Sequence, residues 1–367
     1  MIKIIKGFFS FILLLVVAGL LFMYFHPTFG GTPSAAQQGF YQQLDNYREG
    51  RFVNAVEMDS NMNLSSLGSL IREWNSQRED RIPAEDLSVQ PLDLEKIRQP
   101  EDSLTWFGHS NFLVSMDGQK ILMDPMFSEM ASPVSFIGTR RFTDDIFHLI
   151  DELPDIDAVF ITHDHYDHLD YPSIAALKEK TDHFFVPLGV DAHLLEWGVK
   201  RDNITAMNWW EELEWNGLTI AAVPALHSSA RSLFNRDATL WAGWVIIGQE
   251  TSLYNSGDTG YGPHFRQIGQ RYGPFDITLM EGGQYNERWP DSHMFPEESV
   301  QAHIDAMGDV MLLTHWGAFS LSLHGWSEPI ERAWAEARDQ QVSLIAPRIG
   351  ETVNLKDLDL TVTPWWD

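Results

Sequence analysis

Hydrophobicity along the chain divides it at once. Positions 8–25 read FFSFILLLVVAGLLFMYF, an uncharged run bounded by Lys3 and Lys6 before it and by His26-Pro27 after it. Eighteen such residues as a helix span roughly 27 Å, enough to cross a bilayer core. Lysines on the leading side only predict that the N-terminus stays inside and the body is exported. A cleaved signal peptide is the competing reading; the run exceeds the usual ~7–15-residue apolar core, and the candidate cleavage point at Ser34-Ala35-Ala36 lies well past its end. Either way, in a bacterial cell the body would lie on the periplasmic side.

Residues 27–50 are rich in Gly, Pro, Ser, Gln and Thr, the composition of a stem. Between Met62 and Trp74, Leu64, Leu67, Leu70, Ile71 and Trp74 recur at helical spacing. From Ser103 the period changes to short apolar runs, read as strands at 104–108, 111–116, 120–124, 157–162, 183–188, 218–225, 240–247, 251–256, 276–280 and 310–315. Asp117-Gly118 is a hairpin turn between two of them. Helical segments fall at 172–181, 190–197, 296–307 and 327–339, the third opened by Pro296 with Glu297 and Glu298 in its first turn. Hairpins first and helix-separated strands later suggest two sheets between helices. The expected organisation is an anchor or signal over 1–26, a stem and helical lead-in over 27–94, and one α/β domain over 95–367.

Composition narrows the chemistry. With 25 Lys and Arg against 52 Asp and Glu, the net charge of -27 excludes nucleic acid as a partner, since phosphate backbones require a basic surface. The absence of cysteine excludes disulfides, thiolate nucleophiles and Cys-ligated metals. Any metal must sit on His, Asp and Glu.

Those residues gather where strands end. The run at 157–162 leads into His163-Asp164-His165-Tyr166-Asp167-His168. In extended backbone His163 and His165 point the same way and can share one ion. Asp167 and His168 follow where the chain turns toward a helix. His227, Asp258 in its glycine-framed turn, and His315 end three further strands. Together they complete two sites: His163, His165 and His227 on one ion, Asp167, His168 and His315 on the other, with Asp258 between them. Imidazole and carboxylate ligands suit zinc, and manganese or iron would also suit the carboxylate-bearing site. Two such ions can share a hydroxide and clamp an ester under attack.

The His-x-His-x-Asp-His run resembles the signature of the metallo-β-lactamase superfamily, and the likeness covers about residues 95–353. It is nearest the N-acyl-phosphatidylethanolamine-hydrolysing phospholipase D branch, through Trp106–Ser110, Leu122–Ser128, Ala131–Pro133, Arg140–Phe142, Phe185–Gly189, Gly257–Tyr261, Tyr272–Asp276 and His315–Phe319. The resemblance implies a four-layer αββα sandwich with the site at one edge of the sheets, and it places the seven ligands above on the family's metal positions. It also implies that Asp124 orients a ligand. His293 would face the phosphate, stabilising charge or donating a proton beside Asp167 and Asp258. Lactam-hydrolysing members commonly use a Cys ligand, which is lacking here.

The function this implies is a zinc phosphodiesterase of the phospholipase D type, cleaving an N-acylated or related phospholipid with a hydroxide held between two ions. A lactonase or thioesterase on the same site is the alternative, and an inactive membrane-tethered lipid-binding scaffold the reading from another class. Members of that branch can form homodimers. His109 is read as structural and Asp164 as solvated or hydrogen-bonded to a ligand; His148, His183, His193, His264, His303 and His324 are read as ordinary core or surface residues.

Overall fold

The computed structural model describes residues 2–58, 64–75, 79–358, 360–361 and 363–366. A single helix, Ile2–Phe25, carries the apolar run, and its stretch Lys6–Phe25 is long and apolar enough to cross a membrane. A small hairpin follows, β1 (Tyr47–Arg48) with β2 (Arg51–Phe52). The helix read at 62–74 runs from Leu64 to Asn75; Met62 and the side chains of Leu64, Leu67 and Ile71 lie outside the described residues.

Two seven-stranded sheets make the body. The first contains β3 (Ser103–Trp106), β4 (Phe112–Met116), β5 (Gln119–Met123), β6 (Ile156–Phe160), β7 (Thr181–Pro187) and β8 (Ile204–Met207). The second contains β9 (Glu212–Trp215), β10 (Leu218–Val223), β11 (Gly243–Ile247), β12 (Ser252–Asn255), β13 (Phe275–Glu281), β14 (Gly308–Thr314) and β15 (Ser343–Ile345); β16 (Thr352–Asn354) returns to the edge of the first. The orders are β16-β3-β4-β5-β6-β7-β8 and β15-β14-β13-β12-β11-β10-β9. Each sheet starts with antiparallel hairpins and turns parallel once helices begin to separate the strands. The β4–β5 turn puts Asp117 and Gly118 both at positive φ, 48° and 80°, the tight geometry that suits the twist of paired strands.

Alternation decides the layers. Phe112, Val114, Ala158, Phe160 and Phe185 pack toward the second sheet, where they meet Ile220, Ala222, Trp244 and Leu253. Their neighbours Leu113, Val159, Phe184 and Val186 pack the other way, with Ile150, Ile174 and Leu194 of the outer helices. Strands buried on both faces read as continuous apolar runs, which is why they stand out in the sequence. The result is the expected αββα sandwich. Trp244 fastens its two sheets, its ring edge-on to Phe160 at 5.1 Å and its Nε1 donating to Ile161 O at 2.9 Å.

Residues 27–58 lie against the body, although their composition is that of a spacer. Tyr41 and Phe52 are buried in the central core with Tyr47. Arg231 donates to Thr28 O, and Asn54 bonds both the N and the O of His227.

Two helices of the second outer layer bury neutral histidines. His303 is 2 % exposed, contacts Thr278 Oγ1 through Nδ1 at 2.7 Å, and is pulled down by burial to about 4. The unfolded chain therefore binds a proton there that the folded chain refuses, and stability falls as pH drops from about 6.5 toward 4. His303→Gln removes that proton. Urea titrations should find the variant less stable than the parent at pH 7, with the gap narrowing by about 2 kcal/mol at pH 5. A gap that stays constant or widens would contradict this.

Candidate metal centre

Four strand ends of two sheets open on one cleft. His163 follows β6, Asp258 follows β12, His227 follows β10 and His315 follows β14. Turning each chain sharply at its strand end is costly, and the backbone shows it: Asp124, His109 and His315 adopt positive φ of 40°, 58° and 68°. Gly257 at φ 58° brings Asp258 in; a Cβ there would meet Ala242 O at 2.9 Å.

The convergence centres on Asp258. Its Oδ2 lies 3.2 Å from His168 Nε2, 3.2 Å from His315 Nε2, 3.8 Å from His163 Nε2 and 3.7 Å from His227 Nε2. Donor atoms fall into groups small enough for a shared ion: His163, His165 and His227; His163, His168 and Asp258; and His109, Asp167, His168 and His315. His163 Nε2 and His227 Nε2 stand 2.9 and 3.2 Å from His165 Nδ1. All seven sequence-predicted ligands are thus brought together in one cleft; the groups overlap, since His163 falls with both His227 and His168, and His227 also falls with Asp258 and His293.

Electrostatics favour a cation. Burial pushes His163, His165 and His227 down, so their rings are neutral and present lone pairs to one another. Burial alone would raise Asp167 and Asp258, yet the surrounding imidazoles, His168 first, hold both well below the usual carboxylate range. Burial opposes protonation of His168 and His315 too, but Asp258 leads the carboxylates that lift His168 well above its ordinary value and His315 to about 9. Among the described residues, His168 Nε2, although ion-paired to Asp258 Oδ2, and Asp258 Oδ1 are buried without a well-aligned hydrogen bond. Clustered neutral lone pairs, carboxylates and donor atoms so poorly satisfied fit divalent metal.

The outer nitrogens are tied down. Asp124 is fully buried and accepts from His168 Nδ1 at 2.8 Å, from Thr162 N at 2.8 Å and from Thr162 Oγ1 at 2.7 Å. His227 Nδ1 is 3.1 Å from Ser292 O. Asp124→Asn keeps the shape but removes an acceptor, and should weaken binding at the His168 site about 10–100-fold, read by competition with a chelating dye. Unchanged affinity would show that Asp124 only caps its strand.

Three residues depart from the sequence reading. His109 is not merely structural: it is buried with Nε2 2.8 Å from Asp167 Oδ2, where it helps fix that carboxylate. Asp164 is buried, not solvated; His193 and Thr239 contact its Oδ2 at 3.2 and 3.0 Å, because the loop turns its side chain inward to brace the ligand run. Glu281 went unnoticed. It ends β13, fully buried, with Oε1 3.1 Å from both His315 Nδ1 and His293 Nδ1 and Oε2 accepting from Met294 N at 2.9 Å. The signal was there, a carboxylate closing an apolar strand before Gly282-Gly283. His293 itself sits 5.1 Å from both His227 and His315 by ring centroid, leaving Nε2 for the cleft.

A family model for the beta-lactamase superfamily domain matches residues 119–316. An uncharacterized protein of Mycobacterium tuberculosis is 39% identical over 341 residues, 92% of this chain and 91% of the relative. N-acyl-phosphatidylethanolamine-hydrolyzing phospholipase D 1 of Caenorhabditis elegans is 35% identical over 229 residues, 59% of this chain and 64% of that one. Among solved structures, Igni18, a metallo hydrolase of the archaeon Ignicoccus hospitalis, aligns with a TM-score of 0.53 at 24% identity, covering 69% of this chain and 97% of the other. With this fold and these His/Asp clusters, the chain belongs to the metallo-β-lactamase superfamily and is a metal-dependent hydrolase by class. Within the superfamily, its resemblance is to the N-acyl-phosphatidylethanolamine-hydrolysing phospholipase D branch.

Proposed function

We propose that this protein is a membrane-anchored phosphodiesterase of the phospholipase D type, acting on N-acyl phosphatidylethanolamine or a related phospholipid at a two-zinc centre. The observation that carries it is Asp258, one carboxylate oxygen within 3.8 Å of four imidazoles and no cysteine among the donors. His163, His165 and His227 would hold one ion, Asp167, His168 and His315 the other, and Asp258 both. Bound there, the ions supply Lewis acidity and water acidified toward neutral pH.

The chain's own residues do the rest. Water's oxygen forms a bond to phosphorus as the bond from phosphorus to the amide-bearing alcohol breaks, and that alcohol's oxygen needs a proton. His293, held by Glu281 through Nδ1, presents Nε2 to give it. A cleft of about 510 Å³ opens beside His227 and Ser292, with Trp241, Trp289 and Val56 on its walls and Arg48 and Arg236 at its edge. The lining is mixed: Glu57, Asp237 and Asn54 share it with the aromatic walls, and Arg236 is paired with Asp237 at 3.4 Å. The apolar helix Ile2–Phe25 supports a lipid substrate by holding the site near a bilayer, with the body outside the cytoplasm.

The test is mass spectrometry of products from zinc-loaded full-length protein. N-acyl phosphatidylethanolamine should yield phosphatidic acid and N-acylethanolamine, with two ions per chain by elemental analysis. Lactone or thioester cleavage with inert phosphodiesters would overturn the assignment.

A further inference from the structure

In the group of His163, His165 and His227, only His227 comes from the second sheet, so the place of its backbone decides whether that group closes. It stands past the end of β10, where the sheet ladder has stopped. Among the described residues, no backbone group bonds its N–H or its C=O. One side chain takes both, and it comes from far before the first strand of the sandwich. His227 N donates to Asn54 Oδ1 at 3.1 Å, and Asn54 Nδ2 donates to His227 O at 2.7 Å.

An asparagine amide carries an acceptor and a donor in one plane, as a peptide unit does. It can therefore pair with a residue as the next strand of a sheet would. Its neighbours fix which way it points. Trp241 Nε1 also donates to Asn54 Oδ1, at 3.0 Å, so a reversed amide would set its NH2 against two N–H groups. The buried Trp241 shares that proton with Ala225 O at 2.9 Å, two residues before His227. Asn54 is held from its own side as well: Phe52 is buried in the central core and donates its N to Asp237 O, and Val53 N donates to Asn46 O, both at 2.9 Å.

The other restraints on His227 leave this one to Asn54. Leu226 is tied to Thr259 Oγ1 and Gly260 N at 2.9 and 3.0 Å, which fixes the residue before. Ser292 O, 3.1 Å from Nδ1, sets the ring so that Nε2 stands 3.2 Å from His165 Nδ1 and 3.7 Å from Asp258 Oδ2. The peptide groups of the ligand itself are pinned by the amide. We propose that Asn54 is a positioning residue of the metal centre, pairing with the backbone of His227 and holding that imidazole where it closes the site with His163 and His165. The proposal rests on the two-ion reading above and makes the segment before the sandwich part of the site.

The test is zinc titration of full-length protein in detergent micelles against a chelating dye, for the parent, Asn54→Ala, His227→Ala and the double variant. Removing a support behind a metal ligand costs about 10–100-fold in affinity, so Asn54→Ala should weaken one of the two zinc-binding steps by that much and leave the other within about threefold. In the His227→Ala background the same substitution should change zinc binding by less than about twofold, because the group it positions is gone. A general loosening of the fold would cost the same in both backgrounds. Equal losses in both, or no loss in the parent, would overturn the proposal. Asn54→Asp has almost the shape of the original, keeps the bonds to Oδ1 and turns only the contact with His227 O into a repulsion. It should lose at least about threefold in zinc affinity in spite of its added negative charge, and equal or tighter binding would overturn the pairing. A parent chain that binds fewer than two ions would sink the two-ion centre and this role with it, whereas two ions in the parent and an indifferent Asn54 would sink the role alone.

Discussion

Asp258→Ala should lower kcat/KM for phosphodiester hydrolysis by roughly 10³-fold or more and leave fewer than two ions per chain. Losing a partner outside the ligand shell costs about 10–100-fold, and losing one preorganised charge-stabilising group costs about 100–1,000-fold. Asp258 does more than either. Its Oδ2 stands at 3.2 Å from His168 and His315 and under 4 Å from His163 and His227, rings that come from both sheets. The carboxylate is the negative charge that lets neutral and charged imidazoles coexist in a buried cleft; without it they repel one another, and two cations cannot be held close together. Alanine is tolerated sterically, since it only deletes atoms. The variant should therefore fold, with parental far-UV circular dichroism. Elemental analysis and steady-state kinetics read the outcome, and a variant with full activity and two ions would refute the two-metal site.

The candidate ligands and Asp124 are legible in the sequence, and the part played by His109 is not, for reasons of where each lies. His163 to His168, His227, Asp258 and His315 each close an apolar strand, and a titratable group placed there stands out against the run before it. His109 also follows an apolar run, at 104–108, but that position alone does not say what it faces. Its place depends on a long-range pairing, His109 N to Trp316 O at 2.8 Å and His315 N to His109 O at 3.1 Å, which no local spacing announces. The strands missed at 204–207, 212–215, 343–345 and 352–354 are short and lie at or next to sheet edges, and the pattern of Glu212–Trp215 is half solvent-facing. A parallel strand buried on both faces is legible; a short edge strand sharing polar residues with loops is not. Residues 27–50 mislead for the opposite reason. Tyr41 and Tyr47 are two apolar anchors among many polar residues, and with Phe52 just beyond they bind the stretch to the core.

Glu281→Gln is expected to cost on the order of 10³-fold in kcat/KM, because one side chain serves two histidines. Oε1 faces both His315 Nδ1 and His293 Nδ1 at 3.1 Å, and Oε2 faces Met294 N at 2.9 Å, so the carboxylate meets donors on every side. Burial would raise its pKa, but His293 above all, then His315, pull it below the usual value, and it is charged in the working range. An amide has one oxygen and one NH2. If the oxygen serves the histidines, the NH2 faces the N–H of Met294; if it is turned over, it faces two imidazole N–H groups. A buried donor left against a donor costs about 1–3 kcal/mol, and the tautomers of both rings lose their acceptor. The loss divides into a part borne by the metal at His315 and a part borne by the proton at His293. In a His293→Ala background only the first part remains, so Glu281→Gln should there cost about 10–100-fold, well short of its effect alone. The kcat pH profile of the single variant should also lose the limb that His293→Ala removes. Full additivity of the two substitutions, with an unchanged profile, would mean that Glu281 holds the metal site alone and has no part in placing His293.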